Sequence, residues 1–100
     1  MPYRAPLTDF GFILDHVVGY AQVSGTQLFA EATADTVTAV LAEAGKLAEN
    51  TLAPLNRAGD KQPARLENGI VRTSPGFAEG YRAIADGGWV GMAANPDFGG

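Results

Sequence analysis

The chain has 100 residues, which is room for one small domain. Of its 46 apolar residues 17 are alanine, leaving 29 larger ones to build a core, far above the level of a disordered chain. The net charge is −4, with seven dispersed Lys and Arg, so a grip on phosphate backbones is not expected and no nucleic-acid partner is read here. The absence of cysteine excludes disulfides, iron–sulfur clusters and thiolate zinc sites.

The opening Met1-Pro2-Tyr3-Arg4-Ala5-Pro6 has one basic residue and no long apolar run behind it, so it does not read as a secretory signal. No stretch reaches the length of a membrane span. The expected location is cytoplasmic.

Residues 8 to 21 read as a first helix. Thr8 or Asp9 is placed to cap it, and Phe10, Ile13, Leu14, Val17, Val18 and Ala21 recur at helical spacing. Gly11 and Gly19 weaken it by about 1 kcal/mol each relative to alanine. Ser24-Gly25 breaks the pattern, and a short helical turn is expected over Gln27 to Ala30.

The strongest helical signal runs from about 35 to 53. Thr33 or Asp35 caps it, and Asp35 suits the positive end of the helix dipole. Val37, Val40, Leu41, Ala44, Leu47, Ala48 and Leu52 form one stripe, with Glu43, Lys46, Glu49 and Asn50 largely opposite. Pro54 disfavours helical geometry at Ala53 and is expected to end or kink the helix there. Residues 56 to 63 read as a polar connection.

Residues 65 to 72 read as a β-hairpin. Asn68-Gly69 at its centre is the preferred pair for a type I′ turn, because both residues tolerate positive φ. A hairpin this short needs support from something else. A third helix is expected from Ser74-Pro75, with Ser74 as cap and Pro75 in the first turn. Its apolar face is Phe77, Tyr81, Ile84 and Ala85, and Arg82 is placed to pair with Glu79 or Asp86. Gly87 or Gly88 ends it in the left-handed conformation. Trp89 to Ala93 reads as an extended apolar run, and Asn95-Pro96 as a turn. The final Asn95-Pro96-Asp97-Phe98-Gly99-Gly100 completes no helix or strand, and reads either as a loose terminus or as a truncation point beyond which the natural chain continues.

Little in the sequence carries chemistry. His16, beside Asp15, has no nucleophile near it in the pattern and reads as a partly exposed helix residue rather than a general base. Glu31, Asp35, Glu43, Glu49, Glu67, Glu79 and Asp86 are scattered and read as solvated faces. Glu43 and Glu49 are neither three nor four apart. No helix carries metal ligands at chelating spacing, and no glycine-rich loop follows a strand and opens a helix. No catalytic, cofactor-binding or metal-binding residue is therefore assigned. Trp89 reads either as a core anchor beneath the third helix or as an anchor for another domain; Phe98 has the same two readings.

Three segments together resemble the N-terminal helical domain of the acyl-CoA dehydrogenases. Tyr81-Arg82-Ala83-Ile84-Ala85-Asp86-Gly87-Gly88-Trp89-Val90-Gly91-Met92 is similar to that family's step from a helix through small-Gly-Trp to x-Gly-Leu. Asn95-Pro96-Asp97-Phe98-Gly99-Gly100 is similar to its Pro-Glu-aromatic-Gly-Gly loop. The long helix ending Leu47-Ala48-Glu49-Asn50-Thr51-Leu52-Ala53-Pro54-Leu55-Asn56 is the third. The opening residues 1 to 6 and the hairpin Leu66-Glu67-Asn68-Gly69-Ile70-Val71 point to the branch of longer enzymes like 3-methylmercaptopropionyl-CoA dehydrogenase. Met92 stands where leucine is usual and Phe98 where tyrosine is common.

The resemblance covers all 100 residues and implies a mainly α fold: a bundle of three main helices plus a short β-hairpin, forming one N-terminal-like domain. The family's members are FAD enzymes that desaturate an acyl-CoA thioester between Cα and Cβ, and a homo-oligomer is expected. Their catalytic glutamate and main flavin contacts lie in later domains, so none is carried over to residues 1 to 100. What is implied here is a scaffold without FAD of its own and inactive in isolation. It would lean on the remaining domains of its parent through Trp89, Met92 and Phe98, with acyl-CoA bound by the whole enzyme. The alternative is a stand-alone helical interaction module. A small enzyme in its own right lacks any recognisable constellation.

Overall fold

A computed structural model describes residues 2 to 100. The fold is mainly helical with one two-stranded antiparallel hairpin, the class expected from the sequence. The chain forms two compact units, one reaching to Glu49 and the other spanning Asn50–Gly100.

In the first unit, helix α1 covers Leu7–Phe12, a π turn covers Ile13–Val18, and α2 covers Tyr20–Ser24. The expected continuous helix over 8 to 21 is therefore broken. The break is at Gly19, whose φ of 70° and ψ of 50° are left-handed, and its N–H reaches back to the Leu14 carbonyl. Glycine adopts this region without a steric penalty, so the two valines before it do not have to continue the ladder. Neither Thr8 nor Asp9 caps α1: the helix starts one residue earlier, at Leu7, with Pro6 at the cap position and no side-chain bond. Leu14 is half-buried, while Val17 and Val18 are exposed, because the break removes the face they were to share. Residues 28 to 31 form a turn instead of a helix, closed by Ala32 N–H donating to the Phe29 carbonyl at 3.0 Å.

Helix α3 covers Ala34–Leu47. Thr33 is its cap: the hydroxyl oxygen accepts from the Thr36 N–H at 3.3 Å, and Asp35 lies in the first turn. The apolar stripe from Val37 to Leu47 is more covered than Glu43 and Lys46, which are exposed and paired with each other at 2.9 Å. Gly45 is buried because the N-terminal arm lies on it. A methyl group there would come within 3.3 Å of Ala5 Cβ and 3.5 Å of Leu7. The arm is also tied by Glu49, whose Oε1 accepts from the Ala5 N–H at 2.8 Å and whose Oε2 is 4.0 Å from Arg4.

Pro54 does not end helical structure. A π turn over Ala48–Leu52 precedes it, and α4 runs over Ala53–Lys61 with the proline in its first turn. There the missing N–H is one that an α-helix leaves free anyway, and widening the preceding turn moves carbonyls away from the ring. The expected polar connection over 56 to 63 is accordingly helix up to Lys61.

In the second unit, β1 (Arg65–Glu67) pairs with β2 (Ile70–Arg72) in the register Arg65↔Arg72, Leu66↔Val71, Glu67↔Ile70. Asn68 at φ 51° and Gly69 at φ 77° make the expected type I′ turn. All six strand residues are exposed.

Helix α5 covers Phe77–Asp86. Ser74 is not its cap. Ser74-Pro75-Gly76-Phe77 forms a turn with Gly76 at φ 84° and ψ −10°, the left-handed third position of a type II turn, and Phe77 N–H donates to the Ser74 carbonyl at 3.2 Å. The far end fits the glycine signal. Gly88 is left-handed, its N–H donates to Ala85, and the Trp89 N–H donates to Ile84, which is a Schellman closure. Among the described residues Arg82 forms an ion pair with neither Glu79 nor Asp86.

No large apolar side chain among the described residues is fully buried; the buried residues are Gly45, Ser74 and Gly80. Within each unit the described apolar side chains are thus partly covered or exposed, and none is enclosed.

Candidate functional site

One concavity in the second unit is an apolar trench between α4 and α5. It encloses about 380 Å³ and is walled by Leu52, Leu55, Phe77, Tyr81 and Ile84, with Asn56 at its edge. Three glycines make this close approach possible. A methyl at Gly76 would lie 2.6 Å from Leu55 Cδ2, and one at Gly59 would lie 2.7 Å from the Phe77 ring. A methyl at Gly80 would collide with Leu55 Cδ1. The leucine and the phenylalanine therefore seat where side chains are missing on the facing helix.

The sequence placed Leu52 in the long helix stripe and Phe77, Tyr81 and Ile84 on the third helix. It missed Leu55, because the signal from Pro54 and the polar residues after it suggested a loop. The spacing of Leu52 and Leu55, three apart, was the available clue that helix continued. The trench offers mostly packing surface, with Asn56 and Tyr81 the two lining residues that carry polar side-chain groups. It holds no acid–base pair.

The segment after α5 turns instead of extending. Met92 N–H donates to the Trp89 carbonyl at 3.4 Å, and Ala94 N–H to Gly91 at 3.0 Å. The expected extended run over 89 to 93 is not formed, since the Schellman closure at Gly88 redirects the chain. Asn95 then caps a short 3₁₀ turn, Pro96–Phe98, with Oδ1 accepting from the Asp97 N–H at 2.8 Å. Gly99 at φ 93° closes it.

The three residues singled out in the sequence are placed differently from one another. Trp89 is half-buried, with its indole lying on Gly87: a methyl at Gly87 would be 2.7 Å from Trp89 Nε1. Met92 is 62% exposed and Phe98 is 87% exposed, so both present apolar surface outward.

In the first unit, His16 packs its ring against Phe12 with centroids 4.9 Å apart. A small cleft of about 120 Å³ beside it has Asp15, Tyr20 and Thr38 in its wall, but the Tyr20 hydroxyl is spent on the Ala32 carbonyl at 2.6 Å. Among the described residues no three His, Cys, Asp or Glu side chains converge as metal ligands. Glu67 pairs with Arg65 at 3.0 Å. Glu49 was read as part of a solvated face; its bond to the Ala5 N–H is a tertiary contact that no local pattern announces.

No protein-family model matches the chain. A relative does. The chain is 35% identical over all 100 residues to the 3-methylmercaptopropionyl-CoA dehydrogenase of Ruegeria pomeroyi. Along its whole length it is similar to an acyl-CoA dehydrogenase. It spans 17% of that enzyme's length. This match over the whole chain supports the resemblance drawn from the glycine-tryptophan step, the final loop and the long helix. Among the described residues no helix is long and apolar enough to cross a membrane.

Proposed function

We propose that these 100 residues are the N-terminal helical scaffold of an FAD-dependent acyl-CoA dehydrogenase and take no direct part in its chemistry. The observation that carries this reading is the 35% identity over the full chain to a segment that makes up only 17% of an acyl-CoA dehydrogenase. The physical state of the chain supports it. Eighteen large apolar side chains are exposed and none is fully buried among the described residues, which is the condition of a layer meant to be covered. The same observation weighs against the stand-alone interaction module.

The flavin supplies the redox step of such an enzyme when bound. Two features of the described residues support a reading in which they do not hold it. The notches at Gly76 and Gly80 are filled by Leu55. No buried side-chain nitrogen or oxygen among the described residues lacks a hydrogen-bond partner. On this reading no step of desaturation falls to this segment, and the base and flavin contacts belong to the rest of the parent chain. In this reading the parent is a cytoplasmic homo-oligomer that binds an acyl-CoA. The present segment contributes Trp89, Met92 and Phe98 to a contact with its other domains.

The test is a chimera in which these residues replace the matching segment of the Ruegeria pomeroyi enzyme. The chimera is expected to be yellow and to reduce an electron acceptor when given an acyl-CoA, while the isolated chain is colourless and inert. Replacing Met92 and Phe98 by serine in the chimera should lower its melting temperature and leave the melting of the isolated chain unchanged. A soluble, folded chimera with neither flavin nor activity would remove the reading.

A further inference from the structure

The chain has four asparagines, at positions 50, 56, 68 and 95, and their surroundings divide them sharply. Asn50 lies in the π turn over Ala48–Leu52, and Asn56 lies inside α4. Both are held in helical backbone, and each is followed by a residue with a full side chain, Thr51 or Arg57. Asn95 is followed by Pro96, which has no N–H, and its side-chain oxygen already accepts from Asp97. Asn68 alone is followed by glycine, and it sits at the tip of an exposed hairpin.

We propose that Asn68 is a site of spontaneous deamidation. The Gly69 backbone nitrogen, on losing its proton, attacks the Asn68 side-chain carbonyl carbon. Ammonia leaves, and a five-membered succinimide forms. Water then opens the ring at one carbonyl or the other, giving aspartate or isoaspartate at position 68. The balance is asparagine plus water to acid plus ammonia, with no oxidant or reductant needed. Gly69 has no Cβ to obstruct the approach, and nothing lies within 4 Å of where one would stand.

Closing the ring requires rotation about the Asn68 Cα–C and Cα–Cβ bonds, and the folded turn, in which Asn68 is left-handed at φ 51°, restrains that rotation. That restraint is weak. The two strands are three residues each, and Leu66, Ile70 and Val71 are 74%, 53% and 65% exposed, so opening the hairpin uncovers little further apolar surface. The consequence is a local ageing device. Each event adds one negative charge at the turn. The isoaspartate product also inserts an extra atom into the backbone, which a two-residue turn cannot absorb while keeping Leu66 opposite Val71.

The experiment incubates the 100-residue chain in mildly alkaline and mildly acidic buffers, with and without urea, and follows tryptic peptides by mass spectrometry. Trypsin isolates Asn68 in the peptide from Leu66 to Arg72, and Asn50 with Asn56 in the peptide from Leu47 to Arg57. The first peptide should gain the mass of an amide-to-acid change, faster at alkaline pH, with the folded rate no more than about tenfold below the urea-unfolded rate. Asn68→Gly, which keeps a turn-compatible residue, should abolish the gain in that peptide. Equal gain in the 47–57 peptide, no gain at 66–72, or protection by folding beyond that tenfold would each overturn the proposal.

Discussion

Gly80→Ala is the substitution in which two physical effects oppose each other, and the structure decides which wins. Gly80 is inside α5, where alanine in place of glycine would stabilise the helix by about 1 kcal/mol. It is also one of the few buried residues, and the added methyl would collide with Leu55 Cδ1 and sit 3.6 Å from Leu52 Cδ2. Overpacking of this kind costs about 1–3 kcal/mol, moderated here because a leucine methyl can rotate away. The net expectation is a destabilisation of about 0–2 kcal/mol. The decisive comparison is with Leu55→Ala. In that background the collision is gone, and Gly80→Ala should stabilise by about 1 kcal/mol. The coupling between the two changes is then about 1–3 kcal/mol, or roughly 5- to 150-fold in the folding equilibrium. Urea titrations followed by far-ultraviolet circular dichroism on the four proteins measure it. If Gly80→Ala stabilises equally in both backgrounds, α4 and α5 do not approach each other as described.

Three further outcomes follow from individual contacts. Thr33→Ala removes the bond to the Thr36 N–H and should weaken α3 by about 1 kcal/mol, read as a lower urea midpoint, whereas Thr33→Ser should restore most of it. Glu49→Ala leaves the Ala5 N–H without its acceptor at a cost of about 1 kcal/mol, so exchange of the Ala5 amide with solvent should accelerate several-fold. Glu49→Gln should have a smaller effect, because it retains an oxygen acceptor and gives up only the exposed, 4.0 Å approach to Arg4. Gly87→Ala places a methyl against Trp89 and should shift its fluorescence to the red as the indole is pushed outward; an unchanged spectrum would mean the indole does not rest on Gly87.

How much of this molecule the sequence discloses depends on whether the signal is local. The Asn68-Gly69 turn, the Thr33 cap and the left-handed end at Gly88 were all legible. Each is set by the side chain or backbone freedom of one or two neighbouring residues. The apolar stripe of α3 was legible because it repeats with the helix. The errors came where a local preference competes with a partner far away in sequence. The polar run behind Pro54 argued for a connection over 56 to 63, but α4 continues to Lys61, with Leu55 seated against the glycine notches of α5. Ser74 had the chemistry of a cap, yet Gly76 takes that position, since the turn it completes brings its own backbone against Leu55. The outward surface was not legible either. Apolar periodicity says which residues share a face and not whether this chain covers that face. Only the tertiary structure shows that no large apolar side chain among the described residues becomes buried in either unit, because about 50 residues apiece supply too few neighbours to enclose one.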